Sequence, residues 1–408
     1  MEPKRLFLFA ALALILGYAL LLFRVVKDDT SWREDFTAFY TGWTIARSPD
    51  RGRLYDLNTQ REYQSRILAS DGHDSSEIQD GLLPYLNPPH ITILFSALTL
   101  LPRRSAFLTW MIIQICLLLL LWHPIKDLTE PNYRLIALAA IIAFPLTVMV
   151  IGIGALSILV AISVIRANFA LRRDRVIEAA FWLTLATVKP QMLLFPLFAF
   201  LIVHGWRLLA SFIGVLSVLT FASFALIGWQ PFFDYPRLLS FTQNHPGRLS
   251  LLIRTSSTAR GALFMALGYE RVGLVNKVSL ILMILGLATV AFIWWRGVDY
   301  DVGLAFTVVL GLSFGLHVNP ADDFLLILAA LLLYHKTRWQ PLGFFLLIVP
   351  FAFFIEWRVI NLRLFSVTLH LLVVSLLAVS LIAMRNKSHN RLAIGGLLKK
   401  GTDQGSSG

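Results

Sequence analysis

Three polar stretches interrupt the long apolar runs of this chain, and each carries ionisable side chains suited to chemistry on an anionic substrate. Asp35 lies in SWREDFTAFYTGW, directly after the first apolar run. Lys189 lies in LATVKPQMLLF, and His317 and Asp322 lie in HVNPADD. Ionisable residues at membrane depth are energetically costly and usually have a function. We therefore expect the chemistry of the protein to use these positions.

Asp35 is the candidate general base. In a helix lying along the membrane interface, positions 35, 39, 42 and 43 share one face, so the carboxylate would be held against aromatic rings. Partial loss of solvent raises the pKa of a carboxyl and makes it a better base. The alternative is a solvated acid within an ordinary aromatic belt at the interface.

Lys189 is the candidate ligand of a donor phosphate. Pro190 breaks the helix directly behind it, and a broken helix leaves backbone groups that can line a polar cavity. A cation at this depth suits an anionic head group. The alternative is a lysine whose side chain extends to the interface.

Further charged residues complete the candidate set. Arg254 and Arg260, like Arg103 and Arg104, are expected on the outer side against the usual charge bias, which indicates phosphate contacts. Two adjacent acids beginning at Asp322, without further ligands at fixed spacing, are a weak signal for a divalent cation. We therefore predict no metal site and leave a divalent cation open.

Together these residues indicate transfer of a sugar from a lipid phosphate to an acceptor hydroxyl. A carboxylate takes the hydroxyl proton, cations stabilise the departing phosphate, and aromatic rings stack on sugar faces. No cofactor is expected. The residues expected to contact the sugar or the acceptor are Tyr40, Trp43, Asn87, His90, Gln191, His317 and Asp322.

The composition determines the class of protein that must hold these residues. Of 408 residues, 57% are hydrophobic and only 15% are charged, and the mean hydropathy is +0.70, values beyond those of soluble domains. The apolar runs are too long for barrel strands, so we predict an all-α integral membrane protein. The net charge of +12 is typical of basic loops facing anionic membrane lipid, and no nucleic-acid partner is expected. The single cysteine, Cys116, is expected to be a buried thiol.

Hydropathy predicts a polytopic bundle of about twelve spans, and one ambiguous stretch sets their direction. Residues 87–104, NPPHITILFSALTLLPRR, either cross the membrane or enter it from the outer face and return. If they cross, the basic cluster at 172–175 and the later basic loops fall outside, so the positive-inside rule favours a re-entrant segment. The expected spans are 6–26, 105–122, 134–150, 154–170, 176–188, 191–204, 208–228, 274–295, 301–316, 321–335, 339–355 and 363–384.

This topology predicts a single transmembrane domain over 1–384 and a basic, then Gly/Ser-rich, cytoplasmic tail over 385–408. The large first loop, 27–104, contains interfacial and re-entrant helices and lies on the extracytoplasmic side. The candidate residues collect on that side, and the inner loops are short and basic. We expect a multi-pass protein with its active site facing outward.

The motifs of the chain resemble those of the bacterial glycosyltransferase family 87. The resemblance rests on DFTAFYTGW from Asp35, RLYD from Arg53 with Gln60 after it, YLNPPHITILFSALTLLP over 85–102, and VKPQ over 188–191. It implies a C-type glycosyltransferase fold in the bacterial inner membrane and a polyprenyl-phosphate sugar donor, typically carrying mannose. It further implies inversion at the anomeric carbon and leaves the acceptor, a glycolipid or a polysaccharide, undefined.

The family's roles carry over by position. The resemblance implies that Asp35 is the essential base, that Lys189 binds the donor phosphate, and that His317 lies near the mouth of the site. An inverting transfer needs one base and no carboxylate nucleophile, by analogy with glycoside hydrolysis. Family members often carry a Gly-Gln-Asn element where this chain reads GIGALS, with Ala155 in place of the glutamine. This departure leaves the identity of the sugar and the acceptor open.

Two alternatives fit parts of the pattern. A transporter or flippase of lipid-linked saccharides would place Lys189 and His317 along a translocation path, but it predicts an inverted repeat that the sequence does not show. An enzyme like an O-antigen ligase would also act on lipid-linked sugars at the outer face. It would place its main polar loop late in the chain, whereas here the largest loop comes first.

Overall fold

The computed structural model describes residues 3–245 and 256–337, and within these ranges the chain is helical and contains no strand. The predictions for Arg254, for the spans 339–355 and 363–384 and for the tail 385–408 lie outside the described residues. The α-helices are α1 Pro3–Lys27, α2 Asp35–Ala46, α3 Leu57–Ser70, α4 Thr92–Phe95, α5 Arg103–Leu119, α6 Trp122–Leu128, α7 Arg134–Ile142, α8 Pro145–Ile153, α9 Ser157–Leu171, α10 Val176–Ala186, α11 Pro190–Ile227, α12 Gln230–Asn244, α13 Ala259–Leu267, α14 Val272–Trp295, α15 Tyr300–Phe314 and α16 Leu326–Thr337.

Several helices have the length and apolarity of membrane spans. Leu8–Lys27, Arg103–Leu128, Pro190–Ile227 and Tyr269–Trp295 each qualify singly, and the bent pair α7 and α8, which meet at 45°, forms a fifth. The all-α fold is confirmed within the described residues, and the long apolar helices support the prediction of a membrane protein. The count of twelve spans stays a prediction, because shorter apolar helices make up the rest and two of the expected spans lie outside the described residues.

Two polar clusters mark opposite ends of the helix bundle. Ser157, the first residue of α9, hydrogen-bonds to Asp322 at 2.6 Å, and Asp322 lies beside Asp35. Arg172, directly after the last residue of α9, forms an ion pair with Asp301. The 15 residues of α9 rise about 22 Å between these clusters. We call the two ends of the bundle the Asp35 end and the Arg172 end.

Helix α11 is a hairpin of two helical halves. Thr187, just before it, lies 2.8 Å from Nε2 of His90, and Ser223, near its end, donates to the His90 carbonyl at 2.9 Å. A straight helix would separate Thr187 from Ser223 by about 50 Å, so the chain turns back between them. It turns at Gly205, where φ is 64° and ψ is −151°, a conformation that glycine alone adopts readily. The two halves, 190–204 and 206–227, correspond to two predicted spans.

Successive helices run in alternate directions between the two ends. The start of α7 lies at the Arg172 end, where Arg134 donates to the carbonyl of Lys126 at 3.2 Å. The final turns of α16 return to the same end, where His335 lies 3.2 Å from the carbonyl of Leu128. Within the described ranges the passages between the ends, in chain order, are α1, α5, α7 with α8, α9, α10, 190–204, 206–227, α14, α15 and α16.

The residues between α1 and α5 form a layer at the Asp35 end. Two glutamines of α3 hold the extended part of this layer around Leu83 and Tyr85. Gln60 accepts from the backbone N–H of Tyr85 at 2.8 Å, and Gln64 accepts from the backbone N–H of Leu83 at 2.8 Å. Helix α2 lies within this layer and is buried on nearly every side. It therefore differs from the interfacial helix with one exposed face that the sequence predicts.

The segment that the sequence leaves ambiguous begins and ends against this layer. The hydroxyl of Tyr55 donates to the carbonyl of Asn87 at 2.5 Å, and the hydroxyl of Tyr40 donates to the carbonyl of Leu101 at 2.7 Å. Between these anchors runs a short apolar helical segment, Pro89–Leu100. Both of its ends therefore contact the same side of the bundle.

Arg103, the first residue of α5, is the centre of a buried charge cluster that it forms with residues of this layer. Its guanidinium contacts Asp71 at 2.6 Å, pairs with Asp29 and donates to Ser31 at 3.3 Å. Each nitrogen of the guanidinium thus has a partner within the protein, which favours a structural role, and the phosphate contact of Arg103 stays a prediction. Arg104 is half exposed and lies 2.8 Å from Asp29.

Cys116 is exposed, so the prediction of a buried thiol is wrong. Helix α5 buries Trp110, Gln114 and Leu118 on one face, and position 116 falls on the other face of the same helix. A uniformly apolar run does not reveal which of its faces packs inward, which explains the error.

Candidate functional site

Asp35, the first residue of α2, carries a carboxylate without a hydrogen-bond or ion-pair partner among the described residues. Burial raises the pKa of Asp35, the ammonium of Lys189 opposes the rise, and the carboxylate of Asp322 adds to it. The dipole of a helix normally favours an ionised acid in its first turn, so loss of solvent outweighs that effect here. The result is an unpaired carboxyl with a raised pKa, as a general base requires.

Lys189 and Asp322 form a buried ion pair beside Asp35. The Lys189 ammonium lies 2.6 Å from Oδ1 of Asp322 and 3.1 Å from the hydroxyl of Ser157. The side chains of Lys189 and Asp322 are 8% and 1% exposed. The structure therefore brings together two predicted site residues, but it pairs them with each other.

The outer-loop layer holds the backbone that carries Lys189. Asn87 donates to the carbonyl of Val188 at 2.9 Å, and His90 lies 2.8 Å from the hydroxyl of Thr187. Both predicted sugar-contact residues thus hydrogen-bond to the residues just before the lysine. Their observed contacts position the Lys189 turn.

His317 and Arg260 lie on the other side of the ion pair. Burial and the nearby Arg260 and Lys189 lower the pKa of His317 to about 4, although Asp322 opposes them. Nε2 of His317 is buried and makes no hydrogen bond in the described part of the chain. His317 is therefore a neutral imidazole near physiological pH.

Arg260 is a buried cation whose hydrogen-bond acceptors are neutral. It contacts Asn276 at 2.8 Å and the carbonyls of Leu316 and Gln243 at 3.3 and 3.4 Å, and no carboxylate of the described chain lies within ion-pair distance. Burial lowers the pKa of Arg260 to about 10, so the guanidinium stays charged at neutral pH. An unbalanced buried cation is well suited to an anionic ligand.

The predicted aromatic contacts lie in the core of the layer. Trp43 is 1% exposed and stacks on Phe95 with ring centroids 5.2 Å apart. Tyr40 is 7% exposed, and its hydroxyl is bonded to Leu101. These positions favour a packing role, because a ring that stacks on a sugar needs an open face. Gln191 is partly exposed in the first turn of α11.

The turn that replaces the family's glutamine element packs against α2. Gly154 ends α8 with φ of 69°, and a Cβ atom there would lie 2.7 Å from Cβ of Phe36. Ala155 is fully buried. With its amide turned to satisfy its neighbours, Gln114 donates to the Ala155 carbonyl at 3.1 Å and accepts from Trp110 at 3.0 Å. A glutamine from α5 thus reaches this turn, and the sequence reasoning missed it because Gln114 lies in an apolar run.

Ser157 was also missed, since a serine after an apolar turn carries no distinctive pattern. The described ranges contain no group of three or more His, Cys, Asp or Glu residues that could hold a metal ion. The predicted phosphate contact Arg254 lies outside those ranges.

The fold and the site define a helical membrane protein with an unpaired carboxylate and several buried charges at one end of its bundle. The profile of Glycosyltransferase family 87 matches residues 85–320, more than half of the chain, and the protein belongs to this family. The resemblance drawn from the motifs is thereby confirmed, and the protein is a glycosyltransferase. Asp35 lies before the matched range and Asp322 just after it. No curated protein gives a significant match.

Proposed function

We propose that the protein transfers a sugar, mannose in the first instance, from a polyprenyl-phosphate donor to a hydroxyl of a glycolipid or polysaccharide acceptor, with inversion. The observation that carries this proposal is the unpaired carboxylate of Asp35 in a chain of glycosyltransferase family 87. The choice of mannose and of a polyprenyl phosphate rests on the resemblance to the family. Family membership also favours a transferase over the alternative of a transporter.

In the proposed reaction Asp35 accepts the proton of the acceptor hydroxyl. The hydroxyl oxygen forms a bond to the anomeric carbon while the bond from that carbon to the phosphate oxygen breaks, and the phosphate leaves with the electron pair. Attack and departure on opposite faces invert the anomeric centre. A raised pKa suits this role, because it makes the ionised carboxylate a stronger proton acceptor.

Arg260 is our first candidate for stabilising the leaving phosphate. It is a buried cation with neutral acceptors, whereas the charge of Lys189 is already matched by Asp322. Arg254, close by in sequence, and Lys189 complete the proposed donor site. Gln191 and His317 remain the proposed contacts for the sugar or the acceptor.

The proposed setting is the bacterial inner membrane, with a C-type fold and the Asp35 end on the extracytoplasmic side. The contacts of Asn87 and Leu101 with the same layer support a re-entrant segment over 87–104. The basic residues around Arg172 then face the cytoplasm, as the positive-inside rule requires.

The test is transfer of radiolabelled mannose from synthetic polyprenyl-phosphate mannose to extracted membrane lipids by purified protein. Asp35→Asn keeps the shape of the side chain and removes the base, so we expect transfer to fall by at least about 100-fold while the protein stays folded. Asp28→Asn is the matched control, because it makes the same change at an exposed acid seven positions earlier and should leave transfer unchanged.

Equal transfer by the wild type and Asp35→Asn would remove Asp35 from the mechanism. If the wild type transfers no mannose, the same assay with other polyprenyl-phosphate sugars separates a wrong sugar from a wrong donor class. Loss of transfer in Asp28→Asn as well would show that the substitution disturbs the layer and does not report on a base.

A further inference from the structure

Asp322 is held by three donors from three parts of the chain. Its Oδ1 accepts from the Lys189 ammonium at 2.6 Å and from the Ser157 hydroxyl at 2.6 Å. Its Oδ2 accepts from the backbone N–H of Asn319 at 3.0 Å. Ser157 also accepts from Lys189 at 3.1 Å, so the ammonium, the hydroxyl and the carboxylate form a closed triangle.

Two carboxylates therefore lie near one ammonium, and only one of them binds it. Asp35 and Asp322 both interact electrostatically with Lys189, but Asp35 makes no ion pair within the described ranges. Asp322 has two further donors, Ser157 and Asn319, which hold its carboxylate in place. Asp35 has no such donors, so the ammonium is directed to Asp322.

We propose that Asp322 is a positioning residue that holds Lys189 away from Asp35 and thereby leaves the carboxylate of the base unpaired. This inference rests on the proposed function, in which Asp35 takes a proton. A base already paired with an ammonium would be a weaker proton acceptor, because the cation stabilises its ionised form. Asp322 thus keeps a neighbouring cation in the site without letting it neutralise the base.

The charged groups around this arrangement are few. Lys189 and Asp322 are the groups that act on Asp35. On the far side of the pair, His317 is influenced by Arg260, Asp322 and Lys189, and it is neutral near physiological pH. Asp323, the neighbour of Asp322, is also buried, but Asp35 is the carboxylate already coupled electrostatically to Lys189, and we expect it to pair with the ammonium when Asp322 loses its charge.

The experiment measures the protonation of Asp35 directly and needs no sugar transfer. Dicyclohexylcarbodiimide reacts with protonated carboxyl groups in apolar surroundings, and labelling as a function of pH gives a midpoint for each acid. Trypsin releases the peptide 34–47, and fragment masses separate Asp35 from Glu34. In Asp322→Asn we expect the Asp35 midpoint to move to lower pH by about 1–3 units, the effect of a close cation on a carboxyl.

Three matched variants isolate the cause. Asp322→Glu keeps a carboxylate and should retain most of the wild-type midpoint. Ser157→Ala leaves the ion pair in place and should change the midpoint much less than Asp322→Asn. The double variant Asp322→Asn with Lys189→Met removes both charges together, so no cation remains to pair with Asp35 and the downward shift should disappear.

A midpoint of Asp35 that stays put or rises in Asp322→Asn would overturn the proposal. So would a downward shift that persists in the double variant, since Lys189 would then not be its cause. If Asp322→Asn alone does not fold, the double variant can still be measured, because it carries no unpaired buried charge. A midpoint shift in Ser157→Ala as large as that expected for Asp322→Asn would also contradict the proposal. The labelling midpoints can be measured even if the wild type transfers no mannose. Failure of the proposed function can therefore be distinguished from failure of this inference.

Discussion

To act as the proposed base, Asp35 must be ionised and unpaired at once, and its surroundings work against ionisation. Burial favours the protonated carboxyl, while the ammonium of Lys189 favours the ionised one. The ion pair of Lys189 with Asp322 leaves a balance in which the pKa is raised. The same balance has a measurable effect on folding, because a shifted pKa is a statement about stability.

We expect Asp35→Asn to be more stable than the wild type near neutral pH. The pKa of Asp35 is raised in the folded protein, so the stability that its protonated form contributes is fully present below the unfolded pKa and is lost as pH rises through the folded pKa. The variant avoids this loss, which is on the order of 1 kcal/mol for each pKa unit. Thermal unfolding in detergent at neutral pH and at about pH 4 should show a higher Tm for the variant only at neutral pH. A lower Tm at neutral pH would contradict the raised pKa.

The sequence predicted which residues lie at the candidate site better than it predicted which of them contact each other. Asp35, Lys189, His317 and Asp322 lie near one another, as predicted from polar breaks in apolar runs. The ion pair of Lys189 with Asp322 joins residues 133 positions apart, and nothing in a single sequence links such positions. Trp43 was predicted to contact the sugar, but it stacks on Phe95. The sequence around an aromatic residue is the same whether its ring stacks on a ligand or on another side chain.

At the scale of elements, the junction of α8 with α2 fixes the direction of Asp35. Gly154 ends α8 in the left-handed region, and its Cα faces the side chains of Phe36 and Phe107. Because Phe36 follows Asp35 directly, a displacement at this contact moves the first turn of α2. The position of Asp35, the proposed base, thus depends on a residue without a side chain.

We expect Gly154→Ala to lower both stability and transfer. An L residue at φ of 69° costs about 1–2 kcal/mol, and its Cβ would lie 2.7 Å from Cβ of Phe36. A displacement of Asp35 by about 1 Å would reduce turnover by roughly 100-fold. Gly152→Ala is the matched control, because its Cβ meets Leu22 at an ordinary 3.6 Å. Thermal unfolding and the mannose-transfer assay on both variants check this, and equal activity of the two would refute it.

Helix directions were more predictable than helix boundaries. The predicted spans 191–204 and 208–228 match the two halves of α11, because apolar length and a basic residue between them carried the information. The single glycine that makes the turn, Gly205, has no sequence feature that distinguishes it from a glycine within a helix. The burial of α2 was not predicted, since most of the layer over it is built from residues 47–86, which read as a polar loop, and the apolar segment after them was read as a separate element.

At the scale of the whole molecule, the two ends of the bundle should face opposite sides of the membrane. Cys116 is the single cysteine of the sequence, so Cys116→Ser provides a cysteine-free background. In intact cells a membrane-impermeant maleimide should label Ser70→Cys, which lies in the layer at the Asp35 end. Arg175→Cys, at the Arg172 end, should be labelled only after permeabilisation. Labelling of both from the same side would contradict the two-ended topology.

The cluster around Arg103 has a consequence for the order in which the molecule is made. Asp29 and Arg103 are 74 residues apart, and Asp71 lies between them, so this cluster is complete early in synthesis. The pair of Lys189 with Asp322 closes a loop of 133 residues and waits for a far longer chain. The layer that contains Asp35 can therefore form in the nascent chain long before Lys189 and Asp322 have both been synthesised. The Arg103 cluster can therefore form first, and the ion pair beside Asp35 can form only when most of the polypeptide has left the ribosome.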